Sequence, residues 1–174
     1  MSQRIRLAPA SSAATVARIV SESNRDVAAR FGLDAGNCPK HPSFCTPEWV
    51  EADFQRGEVY FVFEQDGQAV ACVAYESPNA QVAYLNRLSV LPSARRQGIG
   101  ERLVTHIVDY AGRNAKSSVS IGVIGEHTAL QDWYRRRGFA DGETKRFAHL
   151  PFSVKYMARA VSVPQVGGAI FPRG

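Results

Sequence analysis

The chain has 174 residues, of which 45% are hydrophobic and 21% are charged, and its formal net charge is +5. This length allows one domain with a substantial core, and the composition excludes a disordered, collagen-like or disulfide-rich chain. The positive charge suits either a nucleic acid or a phosphate-rich small molecule as partner.

The first predicted elements are a strand over residues 4–7 and a helix that Ser11 or Ser12 can cap. The apolar positions of this helix recur at helical spacing, and they are Val16, Val20, Val27 and Phe31. A second helix begins at Thr46-Pro47-Glu48 and runs to about Arg56.

A hairpin and a central strand follow. Strands over residues 59–64 and 69–75 flank an Asp66-Gly67 turn signal. A buried strand over residues 84–90 then leads into the most informative stretch of the chain.

This stretch has the pattern Arg-x-x-Gly-x-Gly from Arg95 to Gly100 and opens a helix over residues 98–112. The core stripe of the helix is expected at Ile99, Leu103, Val104, Ile107, Val108 and Ala111. Glycines at a helix start let several main-chain N–H groups approach one anion at the positive end of the helix dipole. The loop therefore predicts an anion site, and the alternative is a plain helix start with two solvated arginines.

Two common anion-binding motifs do not fit. The dinucleotide fingerprint requires a third glycine where Leu103 stands, and the P-loop requires a lysine where Glu101 follows the last glycine.

A second motif lies downstream. A short strand over residues 119–124 precedes a helix that carries Trp133 and Tyr134 and ends at Gly138-Phe139. With the Arg-x-x-Gly-x-Gly loop after a Val-x-Pro strand end, this order resembles the GCN5-related N-acetyltransferase (GNAT) superfamily over residues 60–159. The closing segment, residues 145–157, resembles the terminal hairpin of that family.

The resemblance implies a mixed α/β (α+β) fold with a central, mostly antiparallel sheet of six to seven strands, splayed at the middle and flanked by about four helices. One GNAT domain would occupy residues 1–160, and residues 161–174 would form a flexible tail. Acetyl-CoA is the implied cosubstrate, with its pantetheine arm along the open edge of the central strand and its pyrophosphate at the glycine loop. The expected contacts are Leu88, Ser89, Val90, Arg95, Arg96, Gln97, Gly98, Ile99, Gly100, Glu101 and His127, the last standing where the family usually has Asn.

The resemblance also implies transfer of an acetyl group to a primary amine by direct attack. The main-chain N–H of Val90 is expected to stabilise the oxyanion, and Tyr134 stands at the position of the family's general acid. Its alternative is a tyrosine that only packs beside Trp133. Many relatives carry a strand Glu where this chain has Asn86, which cannot take a proton. The base stays open among His41, Glu76, Glu126 and His149.

A proline-rich loop holds Cys38, His41 and Cys45, residue types that bind zinc. Only three ligands are close together and no second pair follows, so we predict no metal site. In the resembling family this segment borders the acceptor pocket, and the loop with Phe44 and Trp49 is the expected acceptor-selecting region. The alternative is a proline-stiffened cover over the core.

The chain start has no signal-like apolar stretch, and no run of 18 apolar residues occurs. The three cysteines are therefore expected as reduced thiols in the cytoplasm, without a membrane partner.

Two other functions stay open. One is a GNAT-like domain that binds acyl-CoA as a sensor without turning it over, which the missing strand Glu favours. The other is a basic nucleic-acid binder, which no helix-turn-helix, zinc-finger or interleaved aromatic pattern supports. Its arginines would be Arg95, Arg96, Arg102, Arg113 and Arg135 to Arg137. The sequence identifies neither the acceptor nor the oligomeric state, a homodimer included.

Overall fold

The computed structural model describes residues 2–162, which form a seven-stranded sheet with helices on both faces. The strands are β1 (Gln3–Leu7), β2 (Val59–Gln65), β3 (Gln68–Glu76), β4 (Val82–Val90), β5 (Ser118–Ile124), β6 (Ala140–Arg146) and β7 (Ser153–Ala160). The helices are α1 (Ala13–Ser23), α2 (Arg25–Arg30), α3 (Pro47–Gln55), α4 (Ile99–Arg113) and α5 (Thr128–Arg135).

The sheet is splayed between β4 and β5. The strand order is β1-β2-β3-β4-β5-β7-β6, and all neighbouring strands are antiparallel except β4 and β5. These two pair in parallel only from Val82 with Ser118 to Tyr84 with Ser120. Beyond that point β5 stays paired with β7 as far as Ile124. The predicted α/β fold with a splayed, mostly antiparallel sheet is confirmed.

A β-bulge bends β4 next to this gap. Ala74 of β3 lies opposite Asn86, whereas Cys72 lies opposite Ser89, so two steps along β3 match three along β4. The extra residue re-aims the strand, and Arg87 takes the left-handed conformation with φ 53°. This is uncommon for a residue with a Cβ, and the Arg87 side chain contacts Asp53 and Trp49 of α3.

The two faces of the sheet carry separate cores. The predicted stripe of α4 is buried against one face, with Leu103 and Ile107 fully enclosed. The other face is covered by α1 and α3, where Val16, Val20 and Val50 are fully enclosed.

The first predicted helix is not continuous. It divides at Asn24, whose side-chain amide donates to the carbonyl of Val20 at 2.7 Å and to the Ser89 hydroxyl at 3.2 Å. Such local side-chain hydrogen bonds compete with the helical ladder. The expected serine cap is also wrong, because the hydroxyl of Ser12 donates to the carbonyl of Pro9 and accepts nothing from the helix.

Other local predictions are confirmed. Asp66 and Gly67 both have positive φ, 51° and 81°, as the predicted hairpin turn requires. The hydroxyl of Thr46 accepts from the main-chain N–H of Trp49 and caps α3.

Among residues 2–162, no helix combines the length and apolar character needed to cross a bilayer. The predicted flexible tail lies outside the described residues, apart from its first two positions.

Candidate active site

A cavity of about 510 Å³ lies at the N-terminus of α4. It brings together most of the predicted anion-binding loop with two residues from the α5 region. Its lining residues are Val90, Ala94, Arg95, Arg96, Gly98, Ile99, Gly100, Glu101, Trp133 and Arg137.

The local sequence explains why this helix start is open. Gly98 occupies the N-cap position with φ 74°, and no side chain of residues 2–162 caps the helix. The first main-chain N–H groups of an α-helix have no partner within the helix. A Cβ on Gly100 would stand 3.4 Å from the Trp133 ring, so glycine keeps this wall of the cavity clear. The result is a site of the kind that binds phosphate oxygens.

The two predicted arginines differ in their surroundings. The guanidinium of Arg95 is held by Asp26, at 2.7 Å, and by the carbonyls of Ser23 and Val90. It therefore ties the loop to the end of α1 and the start of α2. Arg96 is exposed, has φ 62°, and makes no hydrogen bond within residues 2–162. Of the two arginines, Arg96 is therefore the one whose charge is not paired with another group of residues 2–162.

The structure adds a third arginine, Arg137, which the sequence analysis named only for a nucleic-acid binder. The guanidinium of Arg137 lies 3.8 Å from the centre of the Trp133 ring and 3.4 Å from Glu101. Its Nε is enclosed without a hydrogen-bond partner within residues 2–162. Because 36 residues separate Arg137 from Glu101, no local pattern could have placed Arg137 at this cavity.

The main-chain N–H of Val90 faces the gap in the sheet. The N–H of Leu91 donates to the carbonyl of Val70 at 2.9 Å. Opposite residues in an antiparallel ladder alternate between hydrogen-bonded and non-bonded pairs. Val90, opposite Ala71, therefore directs its N–H away from β3 and toward the splayed edge.

The other β4 positions behave differently. Leu88 is half-buried and packs against the α4-side core. Ser89 is buried, and its hydroxyl donates to the carbonyl of Arg87 at 3.0 Å. The side chains of both are thus structural, which leaves their predicted cosubstrate contact to the main chain.

Tyr134 lies in the core on the α4 side of the sheet. Its ring packs edge-on against Trp133 and Phe139, with centroids 5.0 and 5.3 Å away. Burial raises the pKa of Tyr134 above its ordinary value, so the phenol keeps its proton at neutral pH. The phenol oxygen makes no hydrogen bond within residues 2–162, and it is not among the fully enclosed polar atoms.

Two predicted cosubstrate contacts are used elsewhere. His127 caps α5 by accepting from the N–H of Leu130 at 3.4 Å, and its ring packs on Phe31 at 5.3 Å. Gln97 accepts from Gln65 on the outer side of the loop, at 2.9 Å. Neither residue lines the cavity at α4.

The four candidate bases lie in different surroundings. The ring of His41 bonds to the hydroxyl and the N–H of Ser43, and Glu126 accepts from the N–H and hydroxyl of Ser153. Both therefore stabilise loops. His149 is exposed on the β6–β7 loop. Only Glu76 contacts β4, where it accepts from Asn86 at 2.8 Å.

A second carboxylate, which the sequence analysis missed, shares that amide. The side chain of Asn86 also donates to Glu58 at 3.1 Å. Glu58 is buried just before β2, and burial together with the nearby charge of Asp53 raises its pKa, although the hydrogen bond from Asn86 opposes the rise. The amide that replaces the expected strand Glu thus positions two carboxylates at the start of the gap.

A buried ion cluster adjoins Glu58. Asp53 accepts from the hydroxyl of Tyr60 at 2.5 Å and from Nε of Arg87 at 3.0 Å, and it also pairs with Arg56. Burial opposes ionisation of Asp53, but the bond from Tyr60 and the charge of Arg87 outweigh it and lower the pKa of this carboxyl.

Comparison with known proteins identifies the family. The chain matches the acetyltransferase (GNAT) family over residues 29–139. It belongs to this family. Among curated proteins, an uncharacterized N-acetyltransferase of Methanocaldococcus jannaschii is 29% identical over 90 residues. The match covers 48% of this chain and only 40% of that protein.

Solved GNAT structures share the fold. The ribosomal-protein-S18-alanine N-acetyltransferase of Escherichia coli superposes with a TM-score of 0.75 at 16% identity, covering 96% of this chain and 99% of that one. PaiA N-acetyltransferase of Thermoplasma acidophilum, in complex with coenzyme A, has a TM-score of 0.78 at 16% identity, covering 92% and 99%. The family resemblance read from the sequence is confirmed.

The cysteine loop of this GNAT protein is not arranged around a metal. Cys38 packs with Ala28 and Leu33, whereas Cys45 packs in the α1–α3 core. Among residues 2–162, no three His, Cys, Asp or Glu side chains gather as a metal site would require.

We expect all three thiols to resist alkylation in the folded protein. Burial raises the pKa values of Cys38, Cys45 and Cys72, so that little thiolate is present at neutral pH. Mass spectrometry after treatment with iodoacetamide should find the native protein unmodified, and guanidinium-unfolded protein modified three times. Rapid modification of native Cys38 would contradict this expectation.

Proposed function

We propose that the protein is an N-acetyltransferase that transfers the acetyl group of acetyl-CoA to a primary amine by direct attack. The observation that supports this proposal is that the anion cavity and the open edge of the central strand are continuous. The anion cavity at α4 and the open edge of β4 meet at Val90, which lines the cavity and directs its N–H into the gap. A phosphate-bearing thioester fits that combination, because its anionic end and its extended arm need different partners.

The anionic end would be held at the α4 start. The main-chain N–H groups of Ile99, Gly100 and Glu101 would bind the pyrophosphate, with the positive charges of Arg96 and Arg137 beside them. Arg95 would act indirectly by fixing the loop through Asp26. The arm would pair with the main chain of β4 in place of the missing β5 partner, as an added strand does.

The reaction then needs four events. The neutral amine attacks the thioester carbonyl carbon, a C–N bond forms, and the oxyanion is stabilised by the N–H of Val90. The attacking nitrogen, which becomes positively charged when the C–N bond forms, gives one proton to a carboxylate. The C–S bond breaks, and the leaving thiolate is stabilised by a hydrogen bond from Tyr134.

We propose Glu58 as the carboxylate that takes the proton. It is buried, it is held by Asn86 on the strand that borders the gap, and its raised pKa brings it closer to the range of an effective base. Glu76 shares the same amide and is the alternative.

Tyr134 would act chiefly through a hydrogen bond. Its pKa is raised by burial above the ordinary value of about 10, whereas a thiol titrates near about 8.5. Full proton transfer to the thiolate is therefore uphill, and donation of a hydrogen bond to the developing charge is the contribution that the environment favours.

Replacing Tyr134 with Phe should lower turnover by about 10- to 100-fold, the value of one hydrogen bond to a charged group. The affinity for acetyl-CoA should stay near normal, because the ring keeps its packing. Thiol release measured with a responsive amine checks this, with Tyr110→Phe as the matched control. An unaltered rate would remove Tyr134 from the mechanism.

A thermal-unfolding assay with acetyl-CoA tests the proposed function, with NADH and ATP as controls. Ligand at 100 times its dissociation constant should stabilise the protein by about 2.7 kcal/mol, a shift of several degrees. A shift specific to acetyl-CoA, followed by amine-dependent thiol release, supports the proposal. The absence of any shift at millimolar acetyl-CoA contradicts it.

The two other functions are separated by the same assay. A shift without thiol release by any amine favours the catalytically silent sensor, against which the buried Glu58 argues. Nucleic-acid binding is weakened by ion pairing, because Arg95, Arg135 and Arg137 face carboxylates of this chain. Salt-sensitive retention on DNA would favour it nonetheless.

A further inference from the structure

A second cavity, of about 330 Å³, lies on the α1–α3 face of the sheet. We call it the acceptor cradle and define it by its lining residues, which are Lys40, Trp49, Ala52, Asp53, Arg56 and Arg87. None of them lines the cavity at α4.

The cradle carries an excess of positive charge. Its lining contains three cationic side chains and a single carboxylate. That carboxylate, Asp53, is already engaged by Tyr60, Arg56 and Arg87. Lys40 is exposed and makes no hydrogen bond or ion pair within residues 2–162. Arg56 is likewise paired, with Asp53 and, at 3.0 Å, with Glu58. The positive charge left for a bound anion, within residues 2–162, is therefore that of Lys40 and of the terminal nitrogens of Arg87.

Arg87 has the geometry of an anion clamp. It contacts Asp53 through Nε alone, and its two terminal nitrogens donate to nothing within residues 2–162. Its guanidinium lies 5.7 Å from the Trp49 ring centre, which restricts its orientation. A guanidinium held in this way presents paired N–H groups that match a carboxylate or phosphonate.

The position of Arg87 links the cradle to the reaction site. It is the bulge residue of β4, three positions before Val90, and its φ of 53° turns it out of the regular strand. The preceding residue is Asn86, which holds Glu58 and Glu76. Arg56 joins the two groups, because it pairs with Glu58 at 3.0 Å and with Asp53, which accepts from Arg87. The anion clamp and the carboxylates therefore belong to one side-chain cluster.

We infer that the acceptor is a small amine that carries an anionic group next to its reacting nitrogen, a free α-amino acid or its phosphonate analogue, and that the cradle binds that anionic group. The inference rests on the proposed function. Arg87 and Lys40 would bind the anion, and the amine would lie beside Glu58 and Glu76. Polyamines would be repelled by the cradle, and a peptide N-terminus would bring a neutral amide to it.

A panel of amines tests the substrate class. Free L-amino acids, the corresponding amino-acid amides, spermidine and a set of short peptides are compared by thiol release at saturating acetyl-CoA. We expect a kcat/KM at least about 100-fold higher for the best free amino acid than for its amide, which lacks the charge-assisted contacts. Equal values for the two, or a preference for spermidine or peptides, would overturn the inference.

Charge variants at the exposed Lys40 test the cradle itself without disturbing the buried cluster. Lys40→Gln should raise KM for the amino acid about 10-fold and leave kcat and the KM for acetyl-CoA unchanged. Both variants should lower the ratio of kcat/KM for the free amino acid to kcat/KM for its amide, and Lys40→Glu should lower this ratio more than Lys40→Gln. Lys145→Gln, an exposed lysine on β6, is the control and should change neither quantity. An unchanged preference in Lys40→Glu would remove the cradle from acceptor binding.

The thermal shift with acetyl-CoA separates the two proposals. If acetyl-CoA stabilises the protein and amines without an anionic group are acetylated equally well, the substrate class is wrong and the acetyltransferase proposal stands. If acetyl-CoA binds and every amine of the panel fails to release thiol, both the transfer reaction and the substrate class are contradicted.

Discussion

Replacing Gly100 with Val should reduce the affinity for acetyl-CoA roughly 100-fold. A side chain at this position would meet the Trp133 ring, which a Cβ alone already approaches to 3.4 Å, and would stand in front of the free N–H groups of α4. Each lost charge-assisted hydrogen bond costs about 1.5–3 kcal/mol, so the loss of one or two accounts for that factor. Calorimetric titration of the variant with acetyl-CoA measures the change.

Thr105→Val is the matched control, since Thr105 is exposed on the same helix and outside the anion cavity. It places the same side chain in α4 and should bind acetyl-CoA normally. If Gly100→Val keeps its melting temperature and also keeps its affinity, the α4 start is not where the pyrophosphate binds.

Replacing Glu58 with Gln should lower kcat by about 10²- to 10⁴-fold, the usual contribution of a general base. The affinity for acetyl-CoA should stay the same, because Glu58 lies away from the α4 cavity. In the parent enzyme kcat/KM should rise with pH as Glu58 loses its proton, and its raised pKa moves this limb above the ordinary value of 4.5. A pH–rate profile of the variant should lack that limb.

Stability gives an independent readout for the same variant. A carboxyl with a raised pKa binds its proton more tightly when folded, so its contribution to stability is lost as the pH rises through that pKa. The neutral amide of Gln removes this penalty, and Glu58→Gln should melt within a few degrees of the parent at neutral pH. Glu51→Gln, which replaces an exposed carboxylate on α3, is the control.

The pH–rate profile also distinguishes the two carboxylates. If Glu76→Gln rather than Glu58→Gln abolishes the pH limb, the base is Glu76.

The sequence predicts those features that short segments determine by themselves. Turn chemistry at Asp66-Gly67, the cap at Thr46 and the apolar stripe of α4 all appear as expected, because each depends on neighbours within a few residues. The order of the two GNAT motifs identifies the fold, since the glycine loop and the Tyr134 helix require a sheet between them.

Features that depend on distant contacts were not predictable. The first helix breaks at Asn24, whose side-chain amide binds Ser89, 65 positions away, as well as the nearby carbonyl of Val20. Glu58 is a candidate base only because the fold brings it to Asn86, which lies 28 positions further along the chain. His127 is different, because its role is local. It caps α5, whereas the family resemblance predicted a contact with the cosubstrate and the cap was not considered.

The short contact between β4 and β5 has a mechanical consequence. Among the residues that the structure describes, three β4–β5 residue pairs join β1–β4 to β5–β7 within the sheet, and the rest of the boundary between the two halves is open. A pantetheine arm that lies between β4 and β5 would contact both halves of the sheet. Bound acetyl-CoA would therefore connect the two halves of the sheet as well as react. When the product leaves, the two halves would be joined less firmly until the next acetyl-CoA binds.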